Sequence, residues 1–524
     1  MDGVSTLHSN PRSLRAVTQA LAFATLALLA IVAVRHFTSD PFFAAQDEGL
    51  LIVYPDLILR GFIPYKDFSA FYSPAGFYLL AGVFQIFGES VSVERSLGAA
   101  YWFLIVLAVF FIGSRVNRRT ALLAAATAVA YLSLFAGLGA YVHYGAYVCM
   151  LFALVPAGRY CDANESRAKR LITLAGVVAG AAPWFKQDIG VVAIVATFVS
   201  IDPRSLRHLR FFFLGVAIPV SALIAFAIIV GPIDVFDGLI LDPLRSSPGR
   251  FMPLHLSWDL SVVAACVVIQ CVIALRLREP GVPYQLIWLA RGMATLSLGY
   301  SISMLHRTGP GDIGSYGFVV VSLTVVSLSI FLQTLNFGPQ KRVVATIACF
   351  VVGMLPVGII YLTAAEGMKY TQEWVHSGPR KVPFDSYSTS KGSDLQNLLD
   401  EINRRSRPGE ELFVGQSDLR FSNYNDTFIY YLLPHLLPVS RYLQLDPGCA
   451  NRQGSGVARE ISRADWLILT TRYDDWKEPN ASVVPGSVEA TDVVRTRFCL
   501  QSRYGDWKLL HRCGSESDGS PHGG

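Results

Sequence analysis

Charge is what this 524-residue chain has least of: Asp, Glu, Lys and Arg make up 16% of it, against 52% hydrophobic residues. A soluble globular chain carries about 25% charged residues, and here the shortfall is uneven. Residues 15–364 hold nearly all the long apolar runs, while residues 365–524 have an ordinary polar composition. A deficit distributed in that way points to lipid. The formal net charge of +5 rests on basic residues in short loops, which track membrane topology and give no nucleic-acid surface. Cysteine is too sparse for a framework. Cys149, Cys266, Cys271 and Cys349 lie in apolar runs and Cys161 in a short basic loop, which leaves Cys449, Cys499 and Cys513 in the polar part. Those three can form at most one disulfide. No CxxC, DxD or HExxH spacing and no His/Cys cluster is present, so neither a metal nor a cofactor is expected.

What is there is a series of apolar runs. A helix needs about 20 apolar residues to cross the hydrocarbon core. Candidate spans fall at 15–36, 93–114, 120–136, 143–158, 171–184, 188–201, 211–230, 260–276, 286–304, 315–334 and 343–364. The first is too long, and too closely followed by others, to be a cleaved signal peptide, and is read as an anchor. The loops sort by charge. One set carries Arg12 and Arg15, Arg115 to Arg119, Arg159 to Arg170, Arg204 to Arg210, Arg276 and Arg278, and Lys341 and Arg342. The alternate loops are longer yet poorer, with Arg60, Lys66, Lys186, Arg245, Arg250 and Arg307. The positive-inside rule then puts the N-terminus in the cytoplasm and, after eleven crossings, the C-terminal part outside the cell membrane. Arg291 falls inside the ninth span or at its edge.

The expected architecture is an all-α polytopic membrane protein of about 11 transmembrane helices over residues 1–364. A small C-terminal extracytoplasmic α/β domain would follow over 365–524. In that second part the apolar runs Leu412–Gly415, Trp466–Thr470 and Trp507–Leu510 alternate with polar segments, and Asp394–Arg405 has helical spacing. Asn480-Ala481-Ser482 is a glycosylation sequon by pattern only. Two external loops are long, 37–92 and 231–259, and long loops are often functional. Leu50–Leu59 and Phe71–Phe87 in the first are expected to lie flat at the interface.

The first loop opens on Gln46-Asp47-Glu48-Gly49, continues through Gly61-Phe62-Ile63-Pro64-Tyr65-Lys66-Asp67 and Tyr72-Ser73-Pro74-Ala75-Gly76-Phe77-Tyr78, and ends on Phe87-Gly88-Glu89-Ser90 and Arg95. An acidic pair after the first span, followed by these turns, resembles the GT-C class of polyprenyl-phosphate-sugar-dependent glycosyltransferases. Protein O-mannosyltransferases and bacterial aminoarabinose-transferase-like enzymes belong to that class. Trp184-Phe185-Lys186-Gln187-Asp188, Asp242-Pro243 through Pro253, and tail segments such as Tyr430-Tyr431-Leu432 and Ala464-Asp465-Trp466 extend the likeness along most of the chain.

The resemblance implies sugar transfer from a polyprenyl-phosphate-linked donor in the bilayer to a cell-envelope glycan, lipid or protein acceptor, with Asp47 as base. The chemistry agrees. An attacking hydroxyl needs a carboxylate within hydrogen-bond reach, while a phosphate leaving group needs no general acid. Glu48 is the alternative base or a support to Asp47. Lys186, Arg245, Arg250 and Arg307 are the candidates for the departing phosphate, with His255 and His306 beside them. The loop 136–144 lacks the second acidic residue that many relatives carry, and His143 within it reads as a packed or interfacial histidine. A transporter or flippase, or a non-catalytic glycan-binding protein, remains the alternative: the carboxylates sit in loops rather than mid-span, and no internal repeat is visible.

Overall fold

The computed structural model describes residues 45–135, 137–202, 206–254, 258–277, 282–305, 317–335, 372–385, 390–422 and 424–514. The spans expected at 15–36 and 343–364, together with Arg307, His255 and His306, lie outside the described residues. Among those described, the other nine spans coincide with helices: α3 (Val91–Gly113), α4 (Arg118–Phe135), α5 (Val142–Ala157), α6 (Glu165–Ala181), α7 (Gln187–Val199), α8 (Leu206–Val230), α9 (Trp258–Arg276), α10 (Tyr284–Met304) and α11 (Phe318–Thr334). Two of these, α3 and α8, are long and apolar enough by themselves to cross a bilayer, at 23 and 25 residues. α8 buries only Phe212 and Gly215. Its other faces present exposed Leu214, Ile218, Ile224, Ile228 and Ile229, a surface stable only against hydrocarbon. Arg291 lies within α10, its guanidinium 4.4 Å from the Trp288 ring.

The first loop folds into α1 (Asp47–Leu59) and α2 (Ala75–Phe87). The expectation of an interfacial helix does not hold for α1. α2 leaves Ile86 and Phe87 exposed, whereas α1 is buried continuously from Glu48 through Leu57. A helix apolar on every side is a core helix, and α1 is enclosed by protein. Tyr54 within it donates to the Ser69 carbonyl (2.9 Å). The turn after α1 is held by Tyr65, which adopts a left-handed φ of 71° and whose hydroxyl donates to the Tyr72 carbonyl (2.7 Å). A bulky residue reaches that backbone region only at a cost of about 1–3 kcal/mol, offset by its surroundings.

The apolar runs read near the C-terminus are strands. β3 (Glu411–Gln416), β5 (Trp466–Thr470) and β7 (Trp507–Arg512) are joined by β4 (Leu437–Pro438) and β6 (Phe498–Tyr504) in the order β4-β3-β5-β7-β6. β3 runs parallel to β4 and β5, while β7 is antiparallel to β5 and β6. The amphipathic helix α12 (Gly392–Arg405) turns Leu395, Leu398, Leu399 and Ile402 inward. A separate hairpin, β1 (Gln372–Ser377) and β2 (Arg380–Asp385), precedes it.

This region clasps the first loop. Arg380 reaches Asp56 of α1 at 2.8 Å and also pairs with Glu89, while donating to the Tyr431 carbonyl. The Ser69 amide donates to the Arg441 carbonyl (2.7 Å), and Arg60 donates to the Leu436 carbonyl (3.1 Å). Burial, then the Asp56 carboxylate, hold the Glu89 carboxyl above its usual value against the opposing pull of Arg380. A raised carboxyl means that the folded state binds more protons. The stabilisation it brings is therefore full below the ordinary glutamate range and is lost as pH rises through the raised value. Glu89→Gln, which mimics the neutral form, should flatten that dependence without loss of stability. Arg380→Met should cost about 3 kcal/mol, the low end for an uncovered buried charge, since Arg60 remains 3.5 Å from Asp56. Thermal unfolding in detergent across pH measures both; equal stability of Arg380→Met and parent would contradict the clasp.

Candidate active site

Asp47 and Glu48 are neighbours in the first turn of α1, so helix geometry sends their side chains about 100° apart. The difference decides what each can do. Glu48 is 3% exposed and accepts both ends of the Arg95 guanidinium, from Nε at 2.6 Å and from Nη2 at 3.2 Å. Asp47 is exposed and has no hydrogen-bond or ion-pair partner among the described residues. The two adjacent carboxylates are thus one held acid and one available acid.

Arg95 comes from α3, and the residue before it completes the wall. Glu94 is fully buried, and its Oε1 accepts the Ala140 amide. Its Oε2 has no partner among the described residues. One turn on, Gly98 meets the Leu138 carbonyl so closely that any Cβ would collide with it. Residues four apart share a helix face, and Glu94 and Gly98 together seat the loop 137–141 on α3. The chain thus brings a carboxylate to the loop in which sequence reading found none. It comes from the neighbouring helix, 46 residues upstream of the amide it holds.

That loop delivers Tyr141 to the cluster. Its phenol lies within electrostatic reach of the Glu48, Asp47 and Glu94 carboxylates. Desolvation first, then those charges, raise it well above its usual range, so it stays a neutral hydrogen-bonding group. His143 stacks on Tyr141 (5.3 Å, 9° between planes) and meets Tyr144 edge-on (4.5 Å). It is packed, one of the two readings that the sequence allowed. It also lies within electrostatic reach of Lys186.

Lys186 is therefore the candidate phosphate ligand that the fold carries toward the carboxylates. It precedes α7 and pairs with Asp188 at 3.0 Å. Gln187 beside it donates to the Phe71 and Leu239 carbonyls (3.2 and 3.0 Å), tying this turn to both long loops. Arg250 ends the short helix Asp242–Arg250; its guanidinium lies 5.2 Å from the Phe71 ring and 3.7 Å from Asp446. Arg245 pairs with the buried Asp242 at 3.0 Å, further along that helix. The helices α3, α5 and α7 begin at Val91, Val142 and Gln187, within a turn of Glu94, Tyr141 and Lys186 respectively, so each of these residues sits near a partial positive helix end.

Reading the sequence passed over Glu94 and Tyr141. A glutamate within a long apolar run is itself a signal, because an ionisable group at a span needs a partner. Tyr141 carries no comparable mark. Nor does Phe428, whose backbone nitrogen stands 2.9 Å from where a Cβ on Gly49 would be, bringing the C-terminal region against the first turn of α1.

No family model matches the sequence, and no curated protein matches it significantly. The structure is similar to two crystal structures of ArnT from Cupriavidus metallidurans. One is in the apo state, with a TM-score of 0.54 at 12% identity. The other is bound to undecaprenyl phosphate, with a TM-score of 0.50 at 14% identity. Each comparison covers 95% of this chain and 98% of the other. The chain has the fold of the GT-C class, the class that its first-loop motifs resemble.

Proposed function

We propose that this protein is a membrane glycosyltransferase that moves a sugar from a polyprenyl-phosphate-linked donor to an acceptor hydroxyl on the extracytoplasmic side. The observation that carries the reading is the contrast at the start of α1. Asp47 is exposed with no partner among the described residues, while the adjacent Glu48 is locked by Arg95. A carboxylate kept available beside a cationic turn is what hydroxyl activation needs. The similarity to an ArnT structure bound to undecaprenyl phosphate supports a polyprenyl-phosphate donor.

In this reading the acceptor oxygen attacks the anomeric carbon as its proton passes to Asp47. The bond from that carbon to the phosphate oxygen breaks, and the electron pair leaves on polyprenyl phosphate. A single displacement inverts the anomeric centre. The leaving group gains one negative charge, which in this reading Lys186 and the N-terminus of α7 stabilise. Glu48 and Arg95 position the first turn of α1. Arg250, against Phe71, borders the same loop; Arg245 and Arg307 remain secondary candidates. Lys186→Met should raise the donor KM about tenfold or more, as expected for loss of one charge-assisted contact of about 1.5–3 kcal/mol. Steady-state transfer at varied donor concentration measures it, and an unchanged KM would remove Lys186 from the phosphate site.

The outward placement of the C-terminal region is supported by a disulfide between Cys499 and Cys513, since such bonds persist in oxidising compartments. Denatured protein taken from membranes should show these two thiols alkylated only after reductant is added. Labelling of both without reductant would contradict an extracytoplasmic position.

A further inference from the structure

Beyond the carboxylate cluster, the C-terminal sheet carries a cleft of about 410 Å³, within the range of about 300–1,000 Å³ usual for small-molecule sites. Its position follows from topology. β3 and β5 are parallel neighbours, paired up to Gln416 and Thr470. The cleft is lined by Gln416 and by Tyr473, Asp474 and Trp476, which follow β5. It therefore opens beyond the carboxyl ends of the two parallel strands, where open α/β sheets take their ligands.

The lining is specific in chemistry. Trp476 is 44% exposed and is braced edge-on by Tyr424, with ring centroids 5.0 Å apart. Tyr473 lies beside that pair, and its hydroxyl donates to Asp426 (2.7 Å). Asp426 is wholly buried and also receives Arg472 (3.2 Å) and the Trp507 indole (2.9 Å). The floor is thus fixed before any ligand arrives. Flat ring faces carry a negative quadrupole that attracts the slightly positive C–H face of a sugar ring. The Asp474 carboxylate at the same cleft can accept from hydroxyls. Asp418 is held by Arg420 (2.6 Å), and the lining carries Asp418 and Asp474 against one cation, Lys477, a balance that gives an anionic ligand no net attraction.

The same floor reaches the proposed reaction centre. Asp426 lies two residues before Phe428, which abuts Gly49, itself two residues after Asp47. Asn480, three residues before the lining residue Val483, approaches Met252 of the second long loop at 3.6 Å.

We propose that the cleft walled by Tyr473, Asp474 and Trp476 binds a neutral sugar ring of a glycan acceptor. The acceptor role rests on the transferase reading; the binding of carbohydrate does not. The test takes the full chain in detergent, without donor, over an array of glucose, galactose, mannose, arabinose and N-acetylglucosamine oligosaccharides. The parent should retain at least one of these classes, and Trp476→Ala and the isosteric Asp474→Asn should each weaken that binding tenfold or more. Thermal unfolding identifies any variant that merely fails to fold. Failure to bind any oligosaccharide, or binding untouched by both substitutions in folded protein, overturns the proposal whatever the transfer assay shows. Where transfer is seen, the same substitutions should raise the acceptor KM at least tenfold with kcat held near the parent's. An unchanged acceptor KM overturns the acceptor role and leaves the transferase reading standing.

Discussion

Asp47→Asn should lower sugar transfer by about 10²–10⁴-fold, the contribution of one positioned general base, with donor KM and thermal stability close to the parent's. Asparagine keeps the shape of aspartate and removes only its capacity to take a proton. Asp47 is exposed and has no partner among the described residues, so no described interaction is lost. Surface changes of that kind stay within about 0.5 kcal/mol. Transfer kinetics and an unfolding curve on one preparation separate the two effects. A variant that keeps the parental rate would move the base elsewhere. Glu94, whose second carboxylate oxygen has no partner among the described residues, is the next group to test.

The second large effect falls on stability. Arg95→Leu should destabilise the fold by about 3–5 kcal/mol, because it leaves a buried carboxylate uncovered. The side chains of Arg95 and Glu48 are 18% and 4% exposed, so water cannot easily take the place of the guanidinium. Arg95→Lys should recover only part, since an ammonium cannot engage both carboxylate oxygens with the same fork. Replacing both partners, Glu48→Leu with Arg95→Leu, should return most of the lost stability, as apolar exchanges of buried pairs often do. Activity should not return with it, because the first turn of α1 would have lost its anchor. Thermal unfolding of the three variants reads the cycle; an Arg95→Leu melting curve equal to the parent's would show that the pair holds nothing.

The two effects mark where sequence stopped being informative. Long apolar runs located nine of the described helices to within a few residues, since crossing a bilayer demands sustained length and hydropathy. The strand runs of the C-terminal region, such as Trp466–Thr470, were equally legible from their apolar character. α1 was not. Its apolar residues on every side read the same whether lipid or protein encloses them, and only the contacts of α2, α3 and the C-terminal region decide for protein. At the site, sequence singled out Asp47, Glu48 and Lys186, and preferred Asp47 to Glu48 only through the family resemblance, with no physical ground for the choice. That ground is Arg95, 47 residues from Glu48. The disulfide shows the same limit. Three cysteines allowed several pairings, and the register that sets Cys499 opposite His511 brings Cys513 within reach.

The most direct measurement follows both halves of the donor in membranes supplied with a panel of polyprenyl-phosphate sugars, labelled in the sugar. The expected result is that one donor releases free polyprenyl phosphate and places an equal amount of label, with inverted anomeric configuration, on an envelope acceptor, and that Asp47→Asn stops both. Donor that reaches the other leaflet with its sugar–phosphate bond intact would make this chain a flippase and contradict a transferase.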